Sequence, residues 1–103
     1  MVDIFEEQVR KNPNNIAVIY EKERLTYREL NEKANILAQK LRGMGIKPDD
    51  FVAIAAQKSL EMVIGILGVI KAGGAYVPID PKYPQERILY ILSDCKPKSF
   101  INI

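Results

Sequence analysis

The sequence predicts an α/β fold: a parallel βαβαβ core preceded by an N-terminal helix and a short hairpin. Three observations carry this. Short apolar or β-branched runs alternate with longer segments whose apolar residues recur at helical spacing, the order that builds a parallel sheet with crossover helices. Residues 51–56 are apolar without interruption, as a strand covered on both faces requires. The chain of 103 residues is 48% hydrophobic, enough for a real core but only for one domain or part of one.

At the N-terminus, Asp3 is placed to cap a first helix, with Glu6 at the capping-box position and Ile4, Phe5 and Val9 as its apolar side. Asn12, Pro13, Asn14 and Asn15 end it in a turn. Residues 16–20 form a β-branched strand, and Arg24 and Leu25 return as a second, so a hairpin is expected. Its turn lacks an Asn-Gly or Asp-Gly pair.

The stretch Leu25-Thr26-Tyr27-Arg28-Glu29-Leu30 is the clearest helix start. Thr26 at N-cap and Glu29 at N3 form a capping box, and Leu25 and Leu30 a hydrophobic staple. Leu30, Ala34, Leu37, Ala38 and Leu41 then mark one apolar face of an amphipathic helix over about residues 27–42. Gly43 and Gly45 are both candidate stops.

Residues 47–50 read as a loop before the strand at 51–56. Ser59 caps the next helix, which is apolar almost all round from Leu60 to Ile70 and so should be sandwiched between layers. Gly65 and Gly68 inside it each cost about 1 kcal/mol against alanine; a close helix–sheet approach would explain them. Gly73 and Gly74 close that helix, since glycine takes the positive φ of a helix C-terminus freely. Tyr76, Val77 and Ile79 make a short strand bounded by Pro78 and Pro81. Strand, helix and strand form a βαβ unit, whose strands are expected parallel and its crossover right-handed. Pro84 suits the first turn of a further helix with Ile88, Leu89, Ile91 and Leu92 buried. Residues 99–103 supply the third parallel strand.

Composition removes several classes of function. With no histidine, Ser-His-Asp and Cys-His catalysis are excluded within this chain, and a zinc site has no ligand cluster. The single cysteine, Cys95, allows no internal disulfide and fits a reducing cytoplasm. A net charge of +2 with both signs interspersed suggests neither a nucleic-acid nor a membrane partner. No apolar run is long enough to span a bilayer, and no secretory signal is visible.

The remaining candidates for chemistry have plain structural explanations. Gly73 and Gly74 follow a helix rather than precede one, and a helix C-terminus repels phosphate. Lys71 there is a dipole partner. Asp80 is read as turn chemistry beside Pro81, Tyr76 and Tyr83 as packing residues, and Cys95 as a structural or exposed thiol.

Several segments, in order, resemble the opening of a bacterial amino-acid adenylation domain of the nonribosomal peptide synthetases, part of the acyl-adenylate-forming, AMP-binding superfamily. They are F-E-E-Q-V (5–9), N-I-A-V-I-Y (15–20), L-T-Y-R-E-L-N-E-K-A-N (25–35), the run from Ser59 to Pro81 ending in K-A-G-G-A-Y-V-P-I-D-P, and Y-P-Q-E-R-I (83–88). The resemblance implies activation of an amino acid with ATP and magnesium to an aminoacyl-adenylate. The aminoacyl group then passes to the phosphopantetheine of a partner carrier domain. It also implies that residues 1–103 are the N-terminal portion of a larger domain, ending before the phosphate-binding loop. On that expectation no catalytic, cofactor-binding or metal-binding residue lies in this chain, and the chain is inert alone. Because Ile103 falls inside an apparent strand, exposed apolar surface and an open sheet edge are expected to drive self-association. A free-standing α/β binding or self-assembly module, and a fragment of an acyl-CoA or aryl ligase, remain as alternatives.

Overall fold

A computed structural model describes residues 2–55 and 59–102. The order of elements is α1 (Val2–Lys11), β1 (Ile16–Tyr20), β2 (Glu23–Thr26), α2 (Tyr27–Gly43), β3 (Phe51–Ala55), α3 (Leu60–Lys71), β4 (Ala75–Ile79), α4 (Gln85–Cys95) and β5 (Ser99–Asn102). Ala56 and Ile103, expected as strand ends, lie outside the described residues. The α/β architecture is as expected: β1 and β2 form an antiparallel hairpin, and β4-β3-β5 form a parallel sheet.

Strand β3 is central because its residues are apolar on both faces. Val52 and Ile54 pack with Ala38, Leu41, Val69 and Ala72 from α2 and α3. Ala53 and Ala55 face the other way, with Ile79 against Ile88, Ile91 and Leu92 of α4. The chain steps from β3 to β4 on one side and then back past β3 to β5. Opposite faces for the two crossover helices are what right-handed crossovers give when strand order reverses.

Helix α2 starts where its capping box forms. Thr26 Oγ1 accepts from the Glu29 N–H at 3.2 Å, and Glu29 Oε1 accepts from the Thr26 N–H at 2.9 Å. The Tyr27 and Arg28 N–H groups donate to the carbonyls of Asn15 and Pro13, each at 3.0 Å. The first turn therefore leaves no orphan donor there. Leu25 and Leu30 are both buried in one cluster, as a staple requires. At the far end Gly43 is the last helical residue and Gly45 takes φ +92°. Gly45 N–H donates to Arg42 O and Ile46 N–H to Leu41 O, a Schellman motif that buries Ile46 beside Leu41.

Helix α3 is sandwiched as expected. It contributes Val69 and Ala72 to the cluster facing the sheet, and Leu60 and Leu67 to a second cluster with Leu25, Leu30 and Ala34.

Four expectations need correction. Asp3 lies inside the first turn of α1, which begins by Val2, so it is no N-cap; Glu6 is drawn away to a distant lysine. Ile4 is 70% exposed, because α1 docks through Phe5 and Val9, which are half-buried. A Cβ on Gly68 would lie 2.7 Å from Leu37 Cδ2 of α2, so this glycine serves a helix–helix approach, not a helix–sheet one. Leu89 is 58% exposed, since α4 turns only Ile88, Ile91 and Leu92 to the sheet.

Candidate functional site

The segment from Lys71 to Asp80 brings together most of the residues singled out from the sequence. Helix α3 ends at Ala72 in a second Schellman motif. Gly73, at φ +89°, donates its N–H to Ile70 O, and Gly74 donates to Val69 O, both at 3.0 Å. The turn is stitched to the loop before β3, where Asp49 N–H donates to Gly73 O at 2.9 Å and Ala75 N–H to Asp50 O at 2.8 Å. A Cβ on Gly74 would meet Asp50 O at 3.0 Å, so the missing side chain is what lets these strands meet. The two glycines thus sit at the carbonyl end of a helix, with their N–H groups already used. That polarity is wrong for a phosphate cradle.

Asp80 forms a turn, as read from the sequence: its Oδ1 accepts from Lys82 N–H at 2.9 Å and its carbonyl accepts from Tyr83 N–H. Tyr83 is half-buried under the Arg87 guanidinium, 4.3 Å from its ring centre. Tyr76, expected among apolar neighbours, is instead 39% exposed, because its side of edge strand β4 is left open. Cys95 is a half-buried free thiol in the last turn of α4.

Lys71 has a partner that sequence reasoning missed. Its Nζ lies 2.6 Å from Glu6 Oε1 and 5.5 Å above the Phe5 ring, and its side chain is only 5% exposed. Phe5 in turn packs on Tyr27, with ring centres 5.9 Å apart. Arg42 Nη2 donates to the Lys71 carbonyl at 2.6 Å, supplying a cation to the negative end of α3. Asn35 and Gln39 complete a polar pocket of about 200 Å³ around these groups. No local signal could have revealed the pair, because its members lie 65 residues apart. A second, apolar groove of about 290 Å³ runs between α2, α3 and β5 over Ile36, Leu37, Ile64, Gly65 and Ile101.

These arrangements hold helices together. Among the described residues no group of three or more His, Cys, Asp or Glu could hold a metal ion, and no helix is long and apolar enough to cross a membrane. Glu29 has its carboxyl held below the ordinary glutamate range, chiefly by the Thr26 backbone N–H and then by the Thr26 side chain, with burial opposing and Lys33 adding least. That perturbation belongs to a helix cap.

Residues 5–102 match the family of AMP-binding enzymes. The chain belongs to that family. It is 60% identical over 91 residues to bacitracin synthase 2 of Bacillus licheniformis, covering 88% of this chain and 4% of that protein. It is 62% identical over 91 residues to tyrocidine synthase 3 of Brevibacillus parabrevis, covering 88% of this chain and 1% of that protein. The chain thus spans a few per cent of the length of these relatives. Among solved structures, the N-terminal subdomain of Klebsiella oxytoca NpsA superposes with a TM-score of 0.88 at 33% identity, over 97% of this chain and 26% of that one. NpsA–ThdA, an artificially fused adenylation–PCP di-domain NRPS, superposes at 0.90 and 33% identity over 97% of this chain and 19% of that one. The resemblance to nonribosomal peptide synthetase adenylation domains drawn from the motifs is borne out. Within this AMP-binding family member, the signature segments 25–30 and 71–80 are a helix cap and a helix-to-strand turn.

Proposed function

We propose that residues 1–103 are the N-terminal scaffold of an amino-acid adenylation domain. In this reading the longer protein joins an amino acid to ATP, releasing pyrophosphate, and passes the aminoacyl group to a phosphopantetheine-bearing carrier domain. The observation that carries it is the near-complete superposition of this chain on the N-terminal subdomain of NpsA. Two observations support this reading: the glycine pair ends a helix, and among the described residues no group of three or more His, Cys, Asp or Glu could hold a metal ion. We therefore assign nucleotide, magnesium and the reacting groups to parts of the domain beyond these residues, and to this chain the role of positioning them. The part played by Lys71, Gly73 and Gly74 is to fix where β4 leaves α3.

One NpsA structure is a complex with 3-hydroxyanthranilyl-AMSN, a compound with an aryl acyl group. The higher identity to peptide synthases, 60–62% against 33%, favours an amino acid over an aryl substrate here.

The test is amino-acid-dependent ATP–pyrophosphate exchange. It compares residues 1–103 alone with the same residues spliced onto the remainder of the tyrocidine synthase 3 adenylation domain they resemble. Exchange only in the spliced protein is the expected result. Exchange by the short chain would place the phosphate site within it, and silence in both would move the weight to a binding or assembly module. In isolation the chain should also self-associate. Phe51 and Phe100 are 43% and 47% exposed, and β4 and β5 each have one strand neighbour among the described residues. A monomer by light scattering at micromolar concentration would refute that part.

A further inference from the structure

We propose that α1 is a detachable strap, hinged at Asn12 and held down by the clamp that Phe5 and Glu6 make on Lys71. The root of the strap is fixed through backbone: the Pro13 and Asn15 carbonyls accept from Arg28 and Tyr27 N–H groups, each at 3.0 Å. The helix itself is held by side chains. Phe5 and Val9 are half-buried, and none of the described side chains of α1 is fully buried.

Lys71 is the pivot of this arrangement. Its side chain is 5% exposed while that of its carboxylate partner, Glu6, is 57% exposed. A lysine side chain this covered is held in place by its counter-charge and the π face beside it. Remove the carboxylate and the cation must reach water, and the element lying over it is α1. The pair is therefore a two-position device: clamp formed with the strap down, clamp broken with Lys71 solvated and the strap raised. Lys71 also sits directly before the Gly73 turn, and its carbonyl is tied to Arg42 of α2 at 2.6 Å. Whatever moves α1 thus acts at the point from which β4 is launched. This strap stands independently of the adenylation reading.

Amide hydrogen exchange on the chain tests it. In Glu6→Gln, α1 amides should exchange about tenfold faster, the loss expected for a charged hydrogen bond, while β3 and α3 amides keep their protection. Unchanged exchange in α1, or an equal loss through β3 and α3, would overturn the proposal, the latter by making the pair a determinant of the whole fold. Lys71→Met retains the apolar stem and removes the charge that needs a partner. Adding Glu6→Gln to Lys71→Met should change α1 exchange by less than about twofold; the full tenfold effect in that background would show that Glu6 acts elsewhere and would refute the clamp.

Discussion

Helices α3 and α4 both cross between parallel strands, yet α3 buries Leu60, Gly65, Leu67, Gly68 and Val69 while α4 buries none of its residues. Their outer surroundings explain the difference. Helix α3 has the sheet on one side and α2 and the hairpin on another, so apolar residues all round it find partners. Helix α4 has the sheet alone, and Leu89 and Tyr90 are left 58% and 70% exposed. Their ends differ too. The turn after α3 uses Gly73 at φ +89°, whereas that after α4 uses Lys96 at φ +47°, where a side chain is strained. One crossover is finished within these residues; the other presents a face that asks for cover.

The sharpest way to break this contrast is a pair of truncations. Leu41→Ala, on the α2–α3 side, should cost about 2–5 kcal/mol, and Leu89→Ala on α4 less than about 0.5 kcal/mol, both read from urea midpoints. Comparable losses would mean that α4 is packed as tightly as α3. Next in size is Gly68→Val, which drives a branched Cβ into Leu37 and should cost about 1–3 kcal/mol. A neutral result would show that α2 and α3 can part without penalty.

The two helix ends give a smaller, signed comparison. Gly73→Ala should destabilise by about 1–2 kcal/mol, since its Cβ would make only an ordinary contact, 3.7 Å from Pro48 Cα, but would sit at the wrong φ. Lys96→Gly should stabilise by up to about 1 kcal/mol as strain is relieved. Thermal melts that move both in one direction would remove the asymmetry. The remaining comparison concerns the cap of α2. Thr26→Ala should cost about 1 kcal/mol. Glu29 carries a depressed pKa in the folded chain, so its contribution is complete above the ordinary glutamate range and is lost as pH falls through the lower folded value. Glu29→Gln should therefore be less stable than the wild type at neutral pH, and the gap should close on acidification. A gap constant with pH would show that the capping bond does not depend on the charge.

What could be read in advance follows from the range of the interaction. The capping box, the staple, the glycine stops and the Asp80 turn each close within a turn or so of chain, so sequence spacing alone displays them. The βαβαβ order was equally legible, because burial on both faces leaves a continuous apolar run such as Phe51–Ala55. The misplaced features all depend on a distant partner. Glu6 lies at capping-box spacing from Asp3 but pairs with Lys71, and Gly68 faces Leu37, which no local pattern announces. Leu89 has the right spacing for a core position and no neighbour to make it one. Among candidate site residues, the helix-ending role of Gly73 and Gly74 was legible in advance. The Phe5–Glu6–Lys71–Arg42 cluster stayed hidden because it joins three helices.

The sheet order has a consequence for synthesis. Ile54 in the middle strand pairs with Pro78 on one flank and with Ile101 on the other. A ribosome therefore delivers β3 well before either neighbour, and its second edge stays open until β5, beyond α4, has been translated. At about 5–20 residues per second that edge waits for seconds, during which the most apolar strand of the chain is accessible to other nascent copies on the same message.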